Sequence, residues 1–193
     1  MRYSFQVVLL CSVALSGAVA ANAIPDNVLS VCQSPTIVSE TFIGEHEDVK
    51  VQAFQCANTL TREVDQGMAR RTHPHPPVNI CGATCDMFCF QPAGGGPDPN
   101  ECHVISDALR YNSQNIGPLF TIPASASVIG MQYRSSWSFF VNQAEFDLAY
   151  CRLDWAAVLD WVAFNCQAPQ NAHGGLCIAP TSQWFIQVQH TES

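Results

Sequence analysis

The cysteine pattern constrains this chain more tightly than any other feature. Nine cysteines lie beyond the first 23 residues: Cys32, Cys56, Cys81, Cys85, Cys89, Cys102, Cys151, Cys166 and Cys177. A tenth, Cys11, falls inside an amino-terminal stretch that reads as an export signal (1–20). Arg2 supplies its positive end, residues 7–15 its apolar core, and Ala18-Val19-Ala20 and Ala21-Asn22-Ala23 its small-x-small cleavage sites, after residue 20 or 23. The apolar run is too short to span a bilayer comfortably, so a removable signal is expected rather than a retained anchor. In an exported chain the nine cysteines are expected in disulfides. Nine is odd, so one thiol stays free or joins a second molecule in a disulfide-linked dimer. Cys32 and Cys56 are natural partners by exclusion, since the others cluster downstream. Cys81, Cys85 and Cys89 are spaced by four, unlike the two-residue knuckle of most zinc sites, so no metal and no cofactor is expected.

The remaining chain of about 170 residues suffices for one domain with a real core. Acidic residues outnumber basic ones 16 to 8 and no basic stripe is visible, which argues against nucleic acid as a partner. No later segment reads as a membrane span, so stable membrane insertion is not expected. Residues 24–71 read as an amino-terminal strand arm. Within it, Val49, Val51 and Ala53 alternate with polar neighbours, and the polar turn 44–48 suggests a hairpin over 40–56. Arg70-Arg71 precedes a proline- and histidine-rich linker (72–80), so the arm is a candidate propeptide; an uncleaved solvated loop is the alternative. His73 and His75 on that linker read as solvated rather than as metal ligands.

Residues 81–193 form the expected disulfide-bonded domain. The tract Gly94-Gly95-Gly96 lacks the pattern of a phosphate-binding loop and reads as a connection between disulfide-tied segments. A helix start follows. Asp98 suits the N-cap, Pro99 the first helical position, and Glu101 a capping box, predicting a helix over 99–112. Alternation predicts strands around Phe120 and Ile122, around Ile129, Met131 and Tyr133, and around Trp137, Phe139 and Val141. Ser135-Ser136 is not a favoured hairpin turn, so the last two can be one long bulged strand.

A second helix is expected over 153–165, with Trp155, Leu159, Val162 and Cys166 on one stripe and Trp161 and Phe164 opposite. Such a helix is either covered on both faces, by sheet and arm, or offers an aromatic patch. Leu176 to Pro180 and Trp184 to His190 read as a closing hairpin, with Gln187 and Gln189 on a wet face. The fold class is therefore α+β: a small disulfide-bonded α/β sandwich with a mainly antiparallel sheet and two helices.

No arrangement for catalysis is legible. There is no G-x-S-x-G elbow. Asp147, Asp154 and Asp160 could supply paired carboxylates for glycoside hydrolysis, but Asp154 and Asp160 fall on different sides of their helix. A Cys/His pair built from the odd cysteine and His103 or His173 has nothing else behind it.

The stretches CFQPAGGGPDPNECHVISDALRYNSQNIGPLFTI (89–122), FFVNQ (139–143), YCRLDWAAVLDWVAFNCQ (150–167) and NAHGGLCIAP followed by QWFIQVQH (171–190) resemble a family of small secreted proteins of mushroom-forming fungi. That family is grouped with a glycan-binding domain named after an antiviral mushroom lectin. The resemblance runs from about residue 81 to the end, and VKVQAFQC (49–56) is similar too. It implies an α/β sandwich, disulfides and no catalysis, and gives no sugar-contacting residues. It also implies a cysteine after Tyr-x-Ser, where this chain has Ser136, so one of the nine cysteines has lost its mate. The expected function is lectin-like binding of glycans or glycoproteins. Trp137, Trp161, Phe164 and Trp184 are the stacking candidates, and Asn171, His173, Gln187 and Gln189 the polar ones. A toxin-like or necrosis-type effector and a small cell-wall hydrolase are the alternatives.

Overall fold

In the computed structural model the described residues are 32–57, 76–90, 96–124, 127–166 and 174–191. The fold is α+β. Among the described residues, ten strands and two helices follow the order β1 (Thr36–Ile43), β2 (Val49–Gln55), β3 (Val78–Asn79), β4 (Asp86–Cys89), α1 (Pro99–Asn115), β5 (Leu119–Ile122), β6 (Ser127–Tyr133), β7 (Ser136–Asn142), β8 (Leu148–Cys151), α2 (Arg152–Asn165), β9 (Gly175–Ile178) and β10 (Trp184–His190). Seven strands form one antiparallel sheet in the order β1-β2-β6-β7-β10-β9-β4. The other three form a small sheet, β3-β8-β5, whose β3–β8 pair is parallel. The expected amino-terminal arm thus supplies two strands of the main sheet, and the expected linker supplies β3.

Strand β7 is buried along its whole length, because both sheet faces carry core. On one face Phe140 joins Trp184, Tyr150, Trp155 and Phe120 in an aromatic cluster, with Phe140 and Trp184 stacked at 5.4 Å. On the other, Trp137, Phe139 and Val141 pack with Phe54, Val128 and the Cys32–Cys56 pair. The Ser and Asn side chains of β7 are engaged, whereas Trp137 Nε1–H is buried without a partner. Ser138 Oγ accepts Trp155 Nε1–H at 2.8 Å. Asn142 donates to the carbonyls of Ile122, Pro123 and Phe146 and accepts the Ala144 N–H. A buried hydrogen bond of this kind contributes about 1 kcal/mol, but leaving one partner alone costs more.

The three cysteines spaced by four each take a different partner: Cys81 pairs with Cys151, Cys85 with Cys177 and Cys89 with Cys166. Cys151 and Cys166 are the two caps of α2. The strip 81–89 therefore fastens α2 at both ends and β9 between them. The lengths allow this: the strip turns at Cys81-Gly82 and is strand only over Asp86–Cys89, within a full reach of about 26 Å, and a 14-residue helix is about 21 Å long. These three bridges span separations of 70 to 92 residues. By chain entropy each limits the unfolded ensemble by about 4 kcal/mol.

Helix α1 starts as expected, with Asp98 Oδ1 accepting the Asn100 N–H at 2.8 Å. Glu101 does not close a capping box. Its carboxylate instead accepts the Ser135 N–H at 3.0 Å and the Ser135 hydroxyl at 2.7 Å. That contact explains why residues 127–142 are two strands and not one. Arg134 takes a φ of +50°, Tyr133 pairs with Ser136, and the turn Arg134-Ser135 is held from outside by the helix. Local propensity disfavours this turn, and the tertiary contact outweighs it.

Gly130 on β6 lies under the Trp137 ring; an added Cβ would sit 2.3 Å from Trp137 Cζ2. Gly130→Ala is expected to destabilise the fold by about 1–3 kcal/mol, read as a lower midpoint in denaturant unfolding, because neither the sheet nor the buried ring can move away freely.

Candidate functional site

The structure separates the six sequence-predicted ligand residues that it describes. Trp184 is only 3% exposed and stacks on Phe140, and Trp137 is fully buried. Neither can offer a ring face to a sugar. Both sit on core-facing positions of central strands, where large apolar rings fill volume. Gln187 and Gln189 are cross-strand neighbours of Phe139 and Trp137. They are half-buried, and Gln187 Nε2 donates to Gln189 Oε1, so the expected wet amide face is largely self-satisfied. Trp161 and Phe164 do reach the surface, at 36% and 78% exposure. With Leu153 and Ala157 they form one exposed stripe along α2, so this helix face is a patch and is not covered by sheet and arm. Asn171 and His173 lie outside the described residues, as do the export signal, Arg70, Arg71, His73 and His75.

The odd cysteine is Cys102, and it is buried. Its Sγ faces Ser136 Oγ at 3.8 Å, the position where the family resemblance implies a cysteine. Burial is the main cause pushing its thiol up to about 12. A thiol without solvent access cannot bridge two molecules, so the expected disulfide-linked dimer through the odd cysteine is not available to the folded chain. The same burial removes Cys102 as a nucleophile.

The three aspartates considered for hydrolysis are each engaged in holding the fold. Asp147 accepts the Ala124 N–H, and Asp154 accepts the Gly82 N–H at 2.7 Å. Asp160 bridges the helices. Its Oδ1 lies 3.0 Å from His103 Nδ1, and its Oδ2 takes an ion pair from Arg110, which also reaches Asp107 at 2.9 Å. Burial alone would raise the Asp160 carboxyl, but the hydrogen bonds led by Arg110 outweigh it and hold the group below the ordinary carboxylate range. Among the described residues, the one trio close enough to share a metal ion is Cys81, Cys151 and Asp154, and its two cysteines are already bonded to each other.

Sequence reasoning missed the concave part of the surface. The β1–β2 turn folds onto α1. Gly44, at φ +97°, donates its N–H to buried Asn112 Oδ1 at 3.3 Å, and an added Cβ there would lie 3.0 Å from Ala108 Cβ. Between turn and helix runs a groove of about 390 Å³, bordered by Glu45, His46 and Asp48 on one side and by Asp107, Tyr111 and Tyr133 on the other. An adjoining recess of about 280 Å³ shares the turn and Tyr111 and ends at Phe42 and Ile116, both exposed. The signal in the sequence was the acidic, histidine-bearing turn 44–48; what hid the site was that its other wall comes from a helix more than fifty residues away.

Among the described residues, no helix is long and apolar enough to cross a membrane. No family model, no curated protein and no solved structure matches the chain.

Three outcomes follow from this geometry. In native protein Cys102 is expected to resist a thiol reagent at pH 8 and to react once unfolded. Ser136→Cys is expected to leave no titratable thiol even in denaturant and to stabilise the fold by about 3 kcal/mol, because the new bridge would close a loop of intermediate length. Asp160→Asn is expected to cost about 1 kcal/mol at pH 7. Because the folded carboxyl titrates below its unfolded value, this contribution is complete above that unfolded value of about 4 and fades as the pH falls toward the lower folded value. Parallel thermal melts of the two proteins from pH 7 to pH 2 check the convergence.

Proposed function

We propose that the chain is a secreted carbohydrate-binding protein that acts without catalysis, with glycans or glycoproteins as its partners, and that the groove beside Tyr111 takes the sugar. One observation carries the reading: ring faces and carboxylates converge in a concave surface. Tyrosine rings accept the C–H face of a pyranose, and carboxylate oxygens accept its hydroxyls, while a groove removes more of a ligand from water than a convex helix does. Four disulfides and the amino-terminal sequence support export. The resemblance to small secreted fungal proteins points the same way.

A second reading rests on a different observation. The exposed stripe Leu153, Ala157, Trp161 and Phe164 suits contact with a membrane or a host protein, which fits the toxin-like alternative.

A glycan array probed with three proteins separates the two. The parent chain is expected to bind a defined sugar family, Tyr111→Ala to lose roughly tenfold or more of that binding, and the double variant Trp161→Ala/Phe164→Ala to keep it. The reverse pattern moves the site to α2. A blank array together with growth inhibition of other organisms that depends on Trp161 and Phe164 replaces the lectin-like reading with the effector one.

A further inference from the structure

Most carboxylates of the described residues have a structural task. Asp98 caps α1, Glu101 holds the Arg134-Ser135 turn, Glu40 accepts from Gln52, Asp147 and Asp154 accept backbone N–H groups, and Asp160 joins the helices. Five others, Asp86, Glu145, Glu45, Glu47 and Asp48, have no side-chain hydrogen-bond or ion-pair partner among the described residues, and the last three crowd into four positions of one tight turn. Asp107 faces them across the groove, and its partner Arg110 is shared with Asp160. Tyr133 carries the Arg134 guanidinium on its ring at 5.2 Å, which leaves Tyr111 as the open ring at the centre of both recesses.

This combination discriminates between ligands. No three of the groove's acidic and histidine side chains come close enough to share a metal ion, so the negative charges suit positive groups spaced along an extended molecule. A neutral sugar laid on Tyr111 would desolvate several carboxylates and return only hydroxyl hydrogen bonds. A sugar with ammonium groups would return charge-assisted ones and relieve the repulsion along the turn. Resting on the reading of the groove as a sugar site, we infer that its ligand is a cationic saccharide: an oligosaccharide whose rings carry free primary amines, as in de-N-acetylated amino-sugar polymers. Glu45, Asp48 and Asp107 take the ammonium groups, and Tyr111 takes the ring between them.

The experiment is calorimetric titration of the full chain with three probes: a β-1,4-linked glucosamine oligomer, its N-acetylated counterpart and a lysine oligomer of equal charge. The glucosamine oligomer is expected to bind at least roughly tenfold more tightly than the N-acetylated one, and its binding to weaken as salt is raised. Glu45→Gln/Asp48→Asn is expected to weaken glucosamine binding by roughly tenfold and binding of the N-acetylated oligomer by much less, since the amides keep an oxygen that accepts hydroxyls but lose the charge. Both side chains are exposed and unpartnered, so the variant keeps its fold, which a thermal melt verifies. Tyr111→Ala is expected to weaken both sugars. Equal or tighter binding of the N-acetylated oligomer, indifferent to the two acidic changes but lost in Tyr111→Ala, overturns the inference and leaves the groove a neutral-sugar site. Lysine oligomer binding as tight as that of glucosamine also overturns it, since charge alone would then be recognised. Failure of both sugars here, with a blank array, removes the sugar reading itself.

Discussion

The strip 81–89 holds α2 by both ends, and most of the molecule is arranged around that restraint. A helix of 14 residues whose two caps are covalently fixed cannot slide or rotate. Its buried stripe therefore meets the sheet in one register, with Trp155 donating to Ser138 at the centre of β7. That register seats the aromatic cluster of Phe120, Phe140, Tyr150 and Trp184. The same strip reaches β9 through Cys85, so the closing hairpin and the helix share one anchor. The bridges add to the core by restricting the unfolded ensemble.

Helix α1 has no such covalent anchor: it buries Ile105, Ala108 and Leu109 in the core and is positioned by polar contacts. Its first turn meets the Arg134-Ser135 turn through Glu101, and Ser136 donates to the Asp98 carbonyl at 3.3 Å. Its middle joins α2 through Ser106, which donates to the Ala156 carbonyl, and through the Arg110–Asp160 ion pair. Cys102 sits inside this seam against Ser136, where a fifth bridge would fit the logic of the other four. The far end of α1 carries Asn112, which receives the Gly44 N–H and so brings the acidic turn over the helix. The groove exists because these contacts hold α1 and the β1–β2 hairpin at a fixed separation.

Much of the fold was legible locally. The Asp98–Pro99 start of α1, the hairpin around residues 44–48, the buried stripe of α2 and the closing hairpin all rest on interactions within a few residues, which spacing and side-chain type report directly. The failures share a cause. Glu101 had a local partner available and took a distant one. The turn at Arg134 forms against its own propensity because that distant partner stabilises it. Trp137 and Trp184 look like surface aromatics in one dimension, yet burial depends on what lies over each sheet face, and alternation cannot tell a core-facing strand position from a wet one when both faces are covered.

By itself, the sequence determined the cysteine chemistry, the helix and strand periods, the α+β class and the presence of one unmatched thiol, because each depends on residue type and short spacing. Only the tertiary structure decided which cysteine that was, which of four candidate aromatics faced water, and that an acidic turn and Tyr111 form two walls of one groove. Those are properties of residues brought together across tens of positions. Their proximity is set by disulfide pairing, strand order and helix packing, none of which leaves a periodic trace in the chain.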